Sequence, residues 1–348
     1  MTQYRSDTNI LLSTNKTIYE VFRLSDRITP SGTATDAFGR LRTSQPFTLF
    51  DSQNRYQINE KFATSNTGTA NANTSYVIHQ STVDLNIGTS STDSVKRETN
   101  RVFAYQPGKS LLVMNTFAMA NAQANLTQRV GYFNNENGIF VERSNTSTYL
   151  VLRSNSSGTI TETKVEQANW NKDTFDGSAN SYATSAGHDG LNLSKTNIFW
   201  LDVEWLGVGD VRCGFVVDGL LIPAHIFHND NVQNHAYMST ACLPIRYEIF
   251  NTGNTSNNST LKQICSTVIS EGGYELQGRP RTVGSNPNTS YDLTTSNTYY
   301  PVLSIKLKSE KPDAIVLPKG IHIAGLSSGG SVLRYKIVSN TAPADGNW

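Results

Sequence analysis

The sequence predicts an all-β chain, an antiparallel β-sandwich, and three observations predict it. Apolar residues come in strand-length runs that end in Gly, Asn or Asp. No long segment sustains the three-to-four spacing of an amphipathic helix. Polarity is supplied by Asn, Ser and Thr in place of charge, with charged residues at 16% and hydrophobic residues at 37%. At 348 residues the chain can build one large β-domain or two ordinary ones.

Residues 1–50 hold isolated apolar anchors, among them Ile10, Leu11, Tyr19, Val21, Phe22 and Leu24, followed by the turn-rich Thr29-Pro30-Ser31-Gly32. This pattern fits an extended arm that gains structure by lying on something else, or an N-terminal strand that folds back on its own domain. Residues 51–285 are expected to form the sandwich. Within them Arg129–Phe133 and Ile139–Glu142 flank a loop closing in Asn137-Gly138, a pair that readily adopts positive φ, so a hairpin is predicted. A second hairpin is predicted from Tyr149–Arg153 and Thr159–Val165 around Asn155-Ser156-Ser157-Gly158.

A three-strand meander follows, with Ile198–Leu206, Val211–Val217 and Leu220–Phe227 separated by Gly207–Asp210 and by Asp218-Gly219. In its first strand Phe199, Leu201, Val203 and Trp205 point one way, and Trp200, Asp202 and Glu204 the other. Further strands are predicted at Ile245–Phe250 and Ile264–Ile269. Residues 286–348 read as a C-terminal β-extension or small module, with strand patterns at Val302–Lys308, Ala314–Leu317, Ile321–Ala324 and Val332–Val338.

The 29 basic and 28 acidic residues balance to +1, which gives no electrostatic footprint for nucleic acid or an anionic membrane. The first residues lack the basic-then-apolar pattern of a secretory leader, and no apolar run approaches the roughly 20 residues of a spanning helix. Synthesis in a host cytoplasm is expected. Cys213, Cys242 and Cys265 are too few and too widely spaced for a disulfide scaffold or zinc cluster and read as reduced thiols.

Three groups of residues invite a chemical reading. Asp202 and Glu204, two apart on a strand, share a face and are similar in spacing to the acidic strand motif of sandwich-fold glycosidases. Those enzymes place a third acid where Trp200 stands, so a surface or interface role is the plainer reading. His225, His228 and His235 with Asp230 are metal-binding residue types without an established spacing, and are expected to be structural. Trp170–Gly177 and Gly187–Gly190 are oxygen-rich but match no defined calcium loop. No phosphate loop, dinucleotide fingerprint, nucleophile elbow or Cys-x-x-Cys occurs. Neither cofactor nor metal is expected, and no enzymatic activity. An outward Trp200 could instead stack on a sugar or a neighbouring subunit.

Asp36-Ala37-Phe38-Gly39-Arg40-Leu41-Arg42-Thr43-Ser44-Gln45-Pro46-Phe47-Thr48-Leu49-Phe50-Asp51 resembles a segment near the N-terminus of uncharacterised structural proteins of tailed phages and environmental viruses. Arg129–Phe133, Trp170–Asp173, Trp205–Gly209, Val217–Gly219 and Leu243–Ile249 are similar to the central domain of the same proteins. That central domain also looks like a concanavalin-type jelly roll, a fold shared by lectins, glycosidases and viral surface proteins. The resemblance implies a virion component and supplies no catalytic residues.

Its physical content is a docking segment. Phe38, Leu41, Phe47, Leu49 and Phe50 provide apolar anchors, and Arg40 and Arg42 can make charge-assisted hydrogen bonds to a partner. Packing within its own sandwich is the alternative. The expected function is therefore a structural protein of a tailed-phage virion, decorating the head or belonging to the tail or its fibres. It would act through symmetric assembly with itself and with other virion proteins. A glycan- or receptor-binding module on the virion is the alternative, and a glycosidase using Asp202 and Glu204 stands third.

Overall fold

The structure, a computed structural model, describes residues 44–178, 181, 189–275, 278–284, 295, 298–308, 310, 314–323 and 334–337. The chain divides into two compact units, Met1–Pro46 and Phe47–Trp348, and all described strands lie in the second. The N-terminal half of that unit supplies β1 (Phe47–Gln53), β2 (Ala63–Thr67), β3 (Asn73–Val77), β4 (Thr82–Ile87), β5 (Ser94–Thr99) and β6 (Leu111–Ala118). Two hairpins follow, β7 (Leu126–Phe133) with β8 (Gly138–Ser144), and β9 (Ser147–Ser154) with β10 (Thr161–Glu166). The meander is β11 (Asn197–Val203), β12 (Val211–Val217) and β13 (Leu220–Phe227), and β14 (Ile245–Asn251) and β15 (Ser259–Ser270) close the domain.

The strands form a two-sheet antiparallel jelly-roll sandwich. One sheet runs β13-β12-β11-β6-β15-β4-β3, with β1 also on β15, and the other runs β10-β9-β8-β7-β14-β5-β2. Strand β15 is long enough to take two partners along one edge: Ser259–Gln263 pairs with β4, and Cys265–Ser270 pairs with β1. The chain passes from sheet to sheet between β4 and β5, β5 and β6, and β6 and β7. Across the core β4 faces β5, β6 faces β7 and β14 faces β15.

Alternation makes that core. Val83 and Leu85, Val113 and Phe117, Phe199 and Leu201, and Val211 and Phe215 line the first sheet's inner face, and Val130 and Tyr132, Ile139 and Val141, and Ile245 and Ile249 line the second's. Two polar ties cross it. Tyr247 on β14 shares a hydrogen bond of 2.9 Å with Ser266 on β15, and Arg97 Nε on β5 donates to Gln263 Oε1 on β15 at 2.6 Å. Burial lowers the Arg97 guanidinium to about 10, which still leaves it charged at neutral pH.

The outer face of the second sheet carries charge laid over rings. Glu142 binds Arg129 at 2.6 Å and Lys164 at 2.8 Å, and Arg153 binds Glu162 at 2.7 Å. Beneath them Phe133, Phe140 and Val151 form a small second cluster, and the Arg153 guanidinium lies 4.9 Å from the Phe140 ring centre.

Beyond Tyr274 the described residues carry no strand. The runs at 302–308, 314–317 and 321–323 have strand patterns, yet among the described residues they join no ladder; Ala324, Val332, Leu333 and Val338 of the remaining patterns lie outside the described residues. A strand needs a neighbour to take its backbone hydrogen bonds, and pattern alone cannot supply one.

Candidate functional site

The sharpest cluster of chemistry lies at the end of β11, on the outer face of the first sheet. Asp202 stands opposite Arg212 of β12, with 3.6 Å between Oδ2 and Nη1. Glu204 follows the strand's last residue. A tight turn through Leu206 (φ 35°) and Gly207 (φ 82°) then reverses the chain, so that the Glu204 N–H donates to the Asp210 carbonyl at 3.2 Å. Positive φ is strained for Leu206 and free for Gly207, whereas Gly209 is required because a Cβ there would collide with the Glu204 carbonyl.

Topology adds what sequence separation hides. Strand β6 lies between β11 and β15, so Lys109 and Ser110 before β6 and Glu271 after β15 reach the same place. Ser110 Oγ donates to Glu271 Oε2 at 2.8 Å. The result is a cleft of about 370 Å³ lined by Asp202, Glu204, Asp210 and Glu271, by Lys109 and Arg212, and by Leu206. Burial raises the Asp202 carboxyl first; Glu271 raises it further, Arg212 opposes, and Glu204 adds to the rise. Ser110 relieves it little, because its hydroxyl is given to Glu271; Asp202 Oδ1 is buried without a hydrogen-bond partner.

Asp202 and Glu204 therefore share one site, as their spacing predicts. Lys109, Asp210 and Glu271 had no local signal to announce them. Trp200 differs from expectation: it does face outward but is buried, since Gly214 stands opposite it and its indole N–H donates to the Phe215 carbonyl at 3.2 Å. An exposed stacking platform at this position is thereby corrected, and among the described residues no aromatic ring lines the cleft.

The histidines do not converge as a set. His225 is buried with its ring 4.6 Å from Phe227, and its Nδ1 accepts the Asn171 N–H at 3.2 Å. His228 joins Asp210 and Asp230, whose ligand atoms lie within 4.8 Å of one another, and hydrogen-bonds Asp210 at 3.1 Å. His235 lies with its own loop, Nδ1 at 3.0 Å from the Ala236 carbonyl. Gly177 and Gly190 pack against each other's loops, and Asp173 Oδ1 accepts from Phe175 N and from Ser181 Oγ, each at 2.8 Å. Those oxygens serve turns.

Of the docking residues, Phe38, Arg40, Leu41 and Arg42 lie outside the described residues. Phe50 is buried in the sandwich against Phe103, with ring centres 5.1 Å apart, and Leu49 packs at the edge of the same core. Phe47 remains half exposed and stacks on Tyr274 at 5.8 Å. Apolar surface is concentrated elsewhere: Val302, Leu303, Ile305, Leu307, Ile315, Val316, Leu317, Ile321 and Ile323 are all exposed.

No protein-family model matches the chain, and no curated protein matches it. Among solved structures it is similar to the Bacillus licheniformis β-glucanase, at 11% identity and TM-score 0.39 over 66% of this chain and 99% of that one. It is similar to a structure from work on endo-acting O-glycanases of the human gut microbiota, at 11% identity and TM-score 0.43 over 64% and 99%. The binding domain of botulinum neurotoxin DC, in complex with SialylT, gives 11% identity and TM-score 0.35; the match covers 66% of this chain and 48% of that one. At TM-scores below 0.5 these likenesses transfer no function to this chain.

Proposed function

We propose that the chain is a structural component of a tailed-phage virion, at the head surface or in the tail or its fibres, and that it works by symmetric association with copies of itself and with other virion proteins. The observation that carries the reading is the exposure of large apolar side chains at Val302, Leu303, Ile305, Leu307, Ile315, Val316, Leu317, Ile321 and Ile323. Large exposed apolar residues clustered along a polar chain suit a place of association. The near-neutral charge is consistent with contact to protein and gives no pull toward nucleic acid. The resemblance of Asp36–Asp51 to virion proteins supports the location.

Electron microscopy of the purified full chain tests this. Class averages with rotational symmetry are expected, and a field of single 38.3-kDa particles at every concentration counts against it.

A second reading has its own observation, the raised Asp202 carboxyl in a cleft beside Glu204 and Glu271. Perturbed carboxylates in concave sites mark functional-site candidates, and glycosidic chemistry is carried by a pair of such carboxylates. On this reading the Asp202→Asn protein loses glycan retention while gaining roughly 0.5–2 kcal/mol of stability, because a half-buried carboxylate among like charges is strained. Glycan-array binding and urea melts of the two proteins check both halves. A wild-type chain that retains no glycan removes this reading.

A further inference from the structure

Among the described residues, one group of histidine and acidic side chains is close enough to share an ion: Asp210, His228 and Asp230, with one ligand atom from each lying within 4.8 Å of the others. The strands build it. Val211, the first residue of β12, pairs with Phe227, the last of β13, so Asp210 and His228 continue the same ladder one step beyond it. His228 Nδ1 then lies 3.2 and 3.1 Å from the two carboxylate oxygens of Asp210. Buried Asn229 fastens this loop to the turn before β12, its Nδ2 donating to the Gly209 carbonyl at 2.9 Å, and Asn231 at φ 55° turns the chain just past Asp230.

Two observations ask for a cation here. Asp210 and Asp230 bring two carboxylates to one imidazole, and among the described residues no Lys or Arg pairs with either. Beside them Tyr237 is 2% exposed and its hydroxyl has no hydrogen-bond partner, with Asp210 and Glu204 among the groups whose charge acts on it. An orphaned buried hydroxyl marks a place for a water or an ion.

The donors select the ion. Calcium and magnesium take oxygen ligands, whereas zinc takes histidine together with carboxylates at about 2.0–2.2 Å. Ligand atoms on one such ion stand roughly 3–4 Å apart, so the group has to close by about an ångström or less. His228, at 56% exposure, has room to do so.

We propose that Asp210, His228 and Asp230 bind one divalent ion of the zinc class, with the remaining coordination position open to water or a ligand. The ion staples the start of β12 to the loop after β13, the edge strand of the first sheet. The site shares Asp210 with the cleft of Asp202 and Glu204 and is separate from the exposed apolar side chains on which the assembly reading rests.

Isothermal titration of ZnCl₂ into the chelator-treated full chain tests this, alongside His228→Ala and the control His235→Ala. The wild type and the control are expected to take up one Zn²⁺ per chain with equal affinity, and His228→Ala to bind at least about 10-fold more weakly. CaCl₂ at the same concentrations is expected to give no heat. Should His228→Ala fail to fold, the imidazole resonances of the wild type decide: with Zn²⁺ that of His228 shifts and stops responding to pH, while that of His235 is unmoved. Absence of stoichiometric uptake, zinc binding unchanged by His228→Ala, a His228 resonance that ignores Zn²⁺, or Ca²⁺ bound as tightly as Zn²⁺ overturns the proposal.

Discussion

His225 shows how one residue ties packing to pH. Its ring lies against Phe227, and its Nδ1 accepts the Asn171 N–H, so adding a proton there costs both solvation and a hydrogen bond. Burial, with a smaller push from His228, lowers it to about 4. A base held below its unfolded value of about 6.5 favours the folded state while neutral. That stability is fully present above pH 6.5 and is lost as the pH falls toward 4, by at most about 3 kcal/mol. Urea midpoints across this window should fall with pH, and the His225 imidazole resonance should titrate near 4; a titration near 6.5 contradicts the burial. Tyr132 is the neutral counterpart. Its hydroxyl lies 2.7 Å from the Ala241 carbonyl and 3.1 Å from the Phe103 carbonyl, and accepts from Leu243 N at 3.0 Å, wholly inside the protein. Tyr132→Phe should cost about 1–3 kcal/mol in urea unfolding, since the groups left behind find no water.

At the scale of elements the β7–β8 hairpin is the clearest case of sequence read correctly for a physical reason. Asn137-Gly138 closes the loop, and Gly138 takes a φ of 142°. Gly131, in mid-strand opposite Phe140, was less expected. A Cβ there would collide with the Ile139 carbonyl and the Phe140 backbone, so Gly131→Ala should cost about 1–3 kcal/mol, read as a drop in melting temperature. The hairpins, the meander, β14 and β15 were legible because each joins an apolar run to a turn signal. Strands β1, β2, β3 and β5 were not individually legible. Thr, Ser and Asn fill β2 and β3, β1 reads as part of a docking segment, and β5 is half charged, its inward Arg97 stabilised by Gln263, more than 160 residues away. The cleft was half legible for the same reason: Asp202 and Glu204 lie two residues apart at the end of one strand and just beyond it, whereas Glu271 arrives only through the order β11-β6-β15.

The whole molecule combines a packed sandwich with exposed apolar side chains at the described positions 302, 303, 305, 307, 315–317, 321 and 323. The proposal is that association completes the protein. Since β1 begins at Phe47, deletion of residues 1–50 would remove a strand of the sandwich along with the arm, so a deletion meant to test the arm should stop before Ser44. The most direct measurement is the mass of the intact chain by sedimentation over a hundredfold range of concentration. The account predicts an integral multiple of 38.3 kDa that falls toward the single chain on dilution. A mass of 38.3 kDa throughout would contradict it.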